Sequence, residues 1–253
     1  MRTALFISPH LDDVAFSCGG LAARMASAGW NTVLATVFTA TVMPVVGFAL
    51  ECQLDKGLSA HVDYMALRRA EDRQAATILE FSDVRWMDLP EAPHRGYHSA
   101  AALFGPIQEQ DSIVPRLRKA LSEIFRQVGP DLTLIPQVLG NHVDHQVVST
   151  CVRDLITNEN SACYRDTPYA IRDPDASPAP HLRHMPVVKV PIDETALLRK
   201  IAAAQAYTTQ VNFQFKDANT LDRTLREFAL REGDGSPGEQ FLSSSPHMKG
   251  FAE

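Results

Sequence analysis

Two short polar segments of the sequence each bring imidazole and carboxylate groups together within a few positions. The first holds His10, Asp12 and Asp13, and the second is the run His142–His145. If the chain enters a helix at the first segment, His10 and Asp13 face one point, because residues three apart are neighbours on a helix. Asp12 then points elsewhere. Imidazole and carboxylate groups bind catalytic metals and transfer protons in enzymes, so the two segments predict a metal site with acid–base groups beside it.

The candidate ligands of that metal are His10, Asp13 and His145. Two imidazole nitrogens and one carboxylate leave a coordination position open, as in catalytic zinc sites, whereas structural sites close with four, mostly thiolate, ligands. The same ligand set also suits iron(II). We expect the metal to acidify a bound water and to polarise a carbonyl oxygen. The predicted cofactor is therefore Zn²⁺, with Fe²⁺ compatible.

The remaining polar residues of the two segments are predicted to be catalytic. Asp12 lies next to a ligand without being one, so we expect it to take a proton from water and hand it to the leaving group. His142 precedes His145 by three positions, and when protonated it would stabilise an oxyanion. Asp144 is predicted to orient His142 and to fix its tautomer. Each segment alone is equally well explained as a helix start, where such residues cap the backbone.

The elements predicted around these segments alternate between strands and helices. Strands are predicted at residues 4–7, 32–38, 83–87, 131–136, 162–164 and 186–190, and helices at residues 14–28, 61–79, 113–128, 146–157, 194–207 and 221–230. Buried strands that alternate with amphipathic helices are typical of an α/β fold with a parallel sheet. Ligands bind at the carboxyl ends of such strands. Because both polar segments follow strands, we expect them to meet at that edge.

Four other stretches lack a regular apolar period. Residues 39–59 and 92–105 are predicted to be loops, the first with a short helix, and long loops in a compact domain are usually functional or disordered. Residues 171–184 are predicted to be a surface connection, and residues 232–247 a Gly/Ser/Pro-rich tail segment. The chain length favours one domain that spans residues 1–253.

Composition narrows the classes of partner. The net charge of −6 and the lack of a Lys/Arg run argue against nucleic acid and anionic membrane surfaces. No window approaches the roughly 18 apolar residues of a membrane span, and the N-terminal residues leave no room for a cleavable signal. The four cysteines lack CxxC spacing and are expected to be reduced. These features predict a cytoplasmic protein with a small-molecule partner and no stable membrane insertion, and they leave homo-oligomer formation open.

Longer stretches of the sequence resemble a known family. The run Ser8–Asp13, followed by Cys18–Gly20, and the run His142–His145 resemble the motifs of the PIG-L or LmbE-like de-N-acetylases. Members of this family remove acetyl groups from N-acetylglucosaminyl compounds. Weaker similarities extend over nearly the whole chain, at Arg68–Glu71, Leu89–Glu91 and Lys200–Gln210.

The resemblance implies a Rossmann-like, mostly parallel sheet flanked by helices. It implies a zinc-dependent hydrolase that removes an N-acetyl or other N-acyl group from an N-acetylglucosaminyl-type substrate, an amino-sugar conjugate. The metal ligands and catalytic residues that it implies are those named above, and it adds Arg68 as a substrate contact. Two positions depart from the family pattern: Val14 stands where a glutamate often follows the Asp pair, and Tyr207 stands where a histidine is common. We interpret both as variation on the substrate side.

The substrate itself is left open by the sequence. Arg68, Arg95, Tyr97 and the loop at residues 39–59 could line a pocket for a sugar with an anionic or a hydrophobic extension. Arg95 is assigned to substrate binding on this basis, although a solvated loop arginine is at least as good an interpretation.

Two alternative functions use the same residues. His10, Asp12 and His145 could form the facial triad of a non-haem Fe(II) oxygenase, but such sites usually lie on β-rich barrels, which the alternating pattern disfavours. The other alternative is a catalytically silent binding module that keeps the metal for structure. A structural site has no use for the free carboxylate of Asp12, and this favours the hydrolase.

Overall fold

The computed structural model describes residues 1–252, and its centre is a seven-stranded sheet. The strands are β1 (Thr3–Ser8), β2 (Asn31–Phe38), β3 (Asp83–Leu89), β4 (Leu132–Pro136), β5 (Ser161–Tyr164), β6 (Val187–Pro191) and β7 (Gly238–Leu242). The helices are α1 (Asp13–Ser27), α2 (Gly47–Leu54), α3 (Tyr64–Ile78), α4 (Ala100–Leu103), α5 (Ile113–Val128), α6 (Val143–Val152), α7 (Tyr169–Arg172), α8 (Glu194–Ala206), α9 (Thr208–Phe215), α10 (Ala218–Glu232) and α11 (Pro246–Ala252).

The strand order is β3-β2-β1-β4-β5-β7-β6, and the first five strands pair in parallel. Only β7 runs against its neighbours, since it pairs antiparallel with both β5 and β6. The predicted α/β fold with a mostly parallel sheet is confirmed. β1 and β4 are adjacent, and the chain order reverses between them, so the crevice above their carboxyl ends is the expected ligand site of this fold.

Alternation along β1 distributes its side chains between the two layers of helices. Ala4 and Phe6 pack in one buried cluster with residues of α1, whereas Leu5 and Ile7 pack in another with residues of α5 and α6. Successive side chains of a strand point to opposite faces, and burial of both faces explains the near-continuous apolar run. Because both faces of the sheet are packed against helices, the loops at its carboxyl edge are attached to rigid strands.

Differences between the structure and the prediction include the ends of one helix and two elements near the C-terminus. The helix expected at residues 146–157 runs instead over Val143–Val152, so its first turn includes the second polar segment. Residues 232–247 are not a tail, because they contain β7, which fills the gap between β5 and β6. Gly and Pro are rare in strands and Ser is common in turns, so the presence of these residues around β7 made a strand look unfavourable from the sequence. The pairing of β7 with β5 and β6 stabilises it in the fold. Helix α9 was not predicted.

A glycine pair in α1 lets two other elements approach this helix closely. A Cβ atom on Gly19 would lie 3.2 Å from Lys200 Cγ, and one on Gly20 would lie 2.9 Å from Glu239 Oε1. Lys200 Nζ donates hydrogen bonds to Glu239 Oε1 at 2.7 Å and to the Ser17 carbonyl at 3.0 Å, and Gly20 N–H donates to the same carboxylate oxygen at 3.0 Å. The buried Lys200–Glu239 ion pair thus joins α8, β7 and α1.

Among residues 1–252, no helix is long and apolar enough to cross a membrane.

We expect Gly20→Ala to lower the free energy of unfolding by about 1–3 kcal/mol, because overpacking a filled site outweighs the helix propensity gained. Urea denaturation measures this difference. The control is Gly250→Ala in α11, where a Cβ atom meets nothing within 4 Å. That variant should be neutral or more stable, since alanine favours a helix by about 1 kcal/mol over glycine. A Gly20→Ala protein as stable as the Gly250→Ala protein would contradict the packing argument.

Candidate functional site

The two polar segments meet at the carboxyl ends of β1 and β4. After β1 the chain turns at Pro9, and Asp12 is the residue before the first turn of α1. After β4 the chain turns through Asn141, whose φ is 60°, and His142 caps the start of α6. Both helices therefore begin where the two strands end, with their first turns facing the same crevice.

Three side chains from these segments form a group that could hold a metal ion, as predicted: His10, Asp13 and His145. Their ligand atoms lie within 4.8 Å of one another. Asp13 Oδ2 is 3.4 Å from His10 Nδ1 and 3.4 Å from His145 Nε2. Burial alone would raise the pKa of Asp13, but the charges of His145 and His10 lower it to about 2. The carboxylate is therefore ionised and ready to bind a cation.

Each histidine of the group is held by a carboxylate on its other nitrogen. His10 Nε2–H donates to Asp144 Oδ2 at 2.9 Å, and His145 Nδ1–H donates to Asp166 Oδ1 at 2.5 Å. These bonds fix the orientation of each ring, so His10 Nδ1 and His145 Nε2 are the atoms that would bind a metal. His145 Nε2 is buried and has no hydrogen-bond partner. An orphaned buried nitrogen aimed at an ionised carboxylate fits a metal ligand set.

A second grouping of possible ligands, His10, His142 and Asp144, fits a metal less well. Two of its members, His10 and Asp144, are already joined by the Nε2–Oδ2 hydrogen bond. We therefore take the group that contains Asp13 as the candidate site.

Asp12 lies in the same cavity but outside the group of ligands. Its Oδ2 atom is 3.4 Å from Arg68 NH2, and Arg68 NH1 also binds Glu91 at 2.5 Å. Burial raises the pKa of Asp12 to about 7, with the charge of Arg68 opposing the rise and that of Asp13 adding to it. A carboxyl group with this pKa can both accept and return a proton near neutral pH.

His142 differs from its prediction in charge and in partner. Burial and the neighbouring charge of His10 lower the pKa of His142 to about 3, so the imidazole is neutral rather than protonated. Its Nδ1 atom accepts a hydrogen bond from the backbone N–H of Asp144 at 3.2 Å. The predicted contact with the Asp144 carboxylate is wrong, because that carboxylate binds His10 and Arg95 instead. The proton of the neutral ring therefore lies on Nε2, where it can be donated.

The two arginines assigned to substrate binding lie in different places. Arg68 lines the cavity, although its guanidinium is already paired with Asp12 and Glu91. Arg95 is not among the residues that line it, and its side chain is only 6% exposed. The structure places Arg95 outside the cavity, where it donates a hydrogen bond to Asp144. Desolvation of an arginine requires carboxylate partners, and the folded chain supplies two of them.

Two acidic residues near the site were missed by the sequence analysis. Asp166 follows β5, the next strand after β4 in the sheet, and it is fully buried. The sequence contained a signal for Asp166, because polar residues that follow parallel strands lie at the same edge of the sheet. Glu91 follows β3 within a motif quoted for the family resemblance. Its pairing with Arg68 depends on the packing of α3, which no local pattern reveals.

The site opens into a cavity of about 420 Å³. Its floor carries the polar residues described above. Its walls include apolar side chains from the segment that contains α2, from the end of α4 and the residue after it, and from α9, namely Met43, Val45, Phe48, Leu103, Phe104 and Phe213. The loop predicted at residues 39–59 thus forms a wall of the cavity and contains the expected short helix.

Fold and site together define an α/β protein with a candidate metal centre at the carboxyl edge of its sheet. Residues 5–156 match the GlcNAc-PI de-N-acetylase (PIG-L) family, and the chain belongs to this family. The 2'-N-acetylparomamine deacetylase of Streptomyces fradiae is 33% identical over 168 residues, which cover 66% of this chain. The same alignment covers 57% of that protein, so the chain spans less than two thirds of its length.

Two solved structures have the same fold over nearly the whole chain. The A40926 pseudoaglycone deacetylase is 26% identical, with a TM-score of 0.80 over 95% of this chain and 96% of the other. A deacetylase of the teicoplanin biosynthesis pathway is 24% identical, with a TM-score of 0.82 over 95% and 96% of the two chains. The predicted family and fold are both confirmed.

We expect Asp166→Asn to weaken binding of a divalent metal by about 10–100-fold, the usual effect of removing a carboxylate behind a histidine ligand. Asparagine still accepts the His145 Nδ1–H bond, but without the negative charge that makes Nε2 a better donor. Competition with a chromophoric chelator for Zn²⁺ measures the affinity. Asp175→Asn, at an exposed position in the connection before β6, is the control. Equal affinities for the Asp166→Asn and Asp175→Asn proteins would contradict the assignment.

Proposed function

We propose that the protein is a metal-dependent hydrolase that removes an N-acetyl, or other N-acyl, group from an N-acetylglucosaminyl-type substrate. The observation that carries this proposal is the arrangement of His10, Asp13 and His145, with one orphaned nitrogen among them, beside the unligated carboxylate of Asp12. Membership of the PIG-L family and the deacetylase activity named for its relatives support it.

When bound, a zinc or iron(II) ion would polarise the amide carbonyl and acidify a water molecule. Its ligands would be His10, Asp13 and His145. Asp12 takes a proton from the water as the oxygen bonds to the carbonyl carbon. The C–N bond of the resulting tetrahedral intermediate then breaks as Asp12 gives this proton to the nitrogen, which leaves a free amine and acetic acid, and the acid ionises to acetate in water. The pKa of Asp12, raised to about 7 by burial, suits both transfers.

His142 and Arg68 are proposed to support these steps. The neutral His142 ring lines the cavity and can donate its Nε2–H to the oxyanion of the intermediate, a role that needs no protonated imidazole. Arg68 donates to the Leu11 carbonyl at 3.1 Å and pairs with Asp12, so it positions the base. Because Arg68 also lines the cavity, we retain it as a contact for the sugar.

The cavity walls favour an apolar rather than an anionic extension on the sugar. The cationic side chains that line the cavity already have partners: Arg68 binds Glu91, Lys56 donates to the Cys52 carbonyl, and Arg172 donates to Gln214. In contrast, the aromatic rings of Phe104 and Phe213 line the cavity while 43% and 52% exposed. Exposed apolar side chains grouped at a cavity are typical of a binding surface.

The oxygenase alternative is disfavoured by two features of the structure. It requires Asp12 as a ligand, but Asp13 is the carboxylate that lies between the two histidines. The sheet is also open and mostly parallel, rather than a β-rich barrel. The silent binding module is disfavoured by the buried, unligated carboxylate of Asp12.

We expect Asp12→Asn to lower kcat by about 10²- to 10⁴-fold, because asparagine cannot accept the proton of water. Acetate released from N-acetylglucosaminyl glycosides by the zinc- or iron(II)-loaded protein measures the rate, and removal of the metal with a chelator should abolish it. Metal content should be unchanged in this variant.

The control is Asp55→Asn, which changes a cavity-lining carboxylate that the mechanism does not use. Near-normal turnover by the Asp12→Asn protein would exclude Asp12 as the base. Consumption of oxygen by the iron-loaded protein, without release of acetate, would favour the oxygenase.

We expect phenyl N-acetyl-β-glucosaminide to be deacetylated with a kcat/KM about 10-fold or more above that of the methyl glycoside. Burial of an aromatic ring is worth about 1.5–3 kcal/mol, and 1.4 kcal/mol corresponds to tenfold. Phe213→Ala should reduce this ratio, whereas Leu198→Ala, at an exposed position on α8, should not. A faster reaction with N-acetylglucosamine 1-phosphate would instead favour an anionic extension.

A further inference from the structure

A buried chain of charged side chains leads from the metal-ligand group to the start of α5. Asp144 faces His10 through Oδ2 and faces Arg95 through Oδ1, which accepts from Arg95 NH1 at 2.7 Å. On its other side, Arg95 donates through NH2 to Asp111 Oδ2 at 3.0 Å. The side chains of Arg95, Asp111 and Asp144 are 6%, 1% and 0% exposed. One arginine thus bridges two buried carboxylates.

The guanidinium is fixed in this bridge on every side. Its NH1 also donates to the Pro90 carbonyl at 2.8 Å, and its plane lies over the ring of Phe38, with 4.8 Å between the Arg95 Cζ atom and the ring centroid. Asp111 is fixed in turn, because it accepts from the Tyr97 hydroxyl at 3.0 Å and from the Ile113 N–H at 3.1 Å. The first turn of α5 therefore anchors the outer end of the chain.

Stability alone does not account for this arrangement. Burial of three charged side chains is costly, and well-packed apolar residues in such a place are often as stable or more stable. Neither Arg95 nor Asp111 lines the cavity, so neither can contact the substrate. Arg95 links Asp111 to the Asp144 carboxylate, and that carboxylate in turn accepts a hydrogen bond from the ring of His10.

We propose that Arg95, clamped by Asp111, is a positioning residue for the metal site. It holds Asp144 so that Oδ2 accepts the Nε2–H of His10, which turns the Nδ1 lone pair of His10 toward Asp13. Arginine suits this task because its planar fork binds two carboxylates at once, whereas a lysine ammonium is a single point charge. The inference rests on the metal site of the proposed function, but it concerns metal binding and not the choice of substrate.

We expect Arg95→Met to weaken Zn²⁺ binding by about 10–100-fold, and Arg95→Lys to weaken it by less. Affinity is measured by chelator competition in the absence of substrate. The visible absorption spectrum of the Co²⁺-loaded protein, which reports ligand geometry, should shift in the same order.

The matched control is Lys200→Met, because Lys200 pairs with the buried carboxylate of Glu239 at 2.7 Å, and neither residue lines the cavity or belongs to this chain of charges. This variant also leaves a buried carboxylate without its partner, so it should lose stability while its metal affinity and Co²⁺ spectrum stay unchanged. If Arg95→Met does not fold, Arg95→Lys decides the question.

Wild-type metal affinity and spectrum in the Arg95→Met protein would overturn the inference, as would the same result for Arg95→Lys if the methionine variant does not fold. So would a rise in KM with unchanged metal affinity, since that would return Arg95 to substrate binding. A wild-type protein that binds metal but releases no acetate would contradict the proposed function and leave the positioning role intact. A wild-type protein that binds no metal at these residues would overturn both.

Discussion

The burial of several ionisable groups at the carboxyl ends of β1 and β4 is the constraint on which the rest of the structure depends. A charge removed from water costs several kcal/mol unless it is paired, so each group needs a partner. Asp13 lies between His10 and His145, and each imidazole has a carboxylate on its far side. The Nε2 atom of His145, by contrast, is buried without a hydrogen-bond partner. An unsatisfied buried group costs about 1–3 kcal/mol, and a bound cation would remove that cost.

The partners of these groups come from separate parts of the chain. Arg68 belongs to α3, Arg95 to the loop after β3, and Asp166 to the residues after β5. Each lies beside the buried charges because the segments that follow parallel strands begin at the same edge of the sheet. The environment of each acid then determines its chemistry: burial leaves Asp12 able to exchange protons near neutral pH, while two imidazoles keep Asp13 ionised.

Local patterns predicted most of the sheet and the long helices, because hydrophobic periodicity over eight or more residues is a strong signal. Helix α5 was predicted with its observed ends, and β2 within one residue. The strand β7 was not predicted, because its burial depends on a contact with a distant part of the chain. The strand β7 is five residues long and contains Glu239, a charged residue that is buried only because Lys200 from α8 pairs with it. No window of sequence contains that information.

The sequence by itself determined the candidate ligands and the free carboxylate, because His10, Asp12 and Asp13 share one turn, and His145 lies at the helix start after another buried strand. Spacing along a helix depends only on the local backbone. Only the tertiary structure decided that Asp144 supports His10 rather than His142, and that Arg95 lies behind the site. The partner of a buried charge is chosen by whichever elements pack against it, and that choice depends on contacts between residues far apart in the chain.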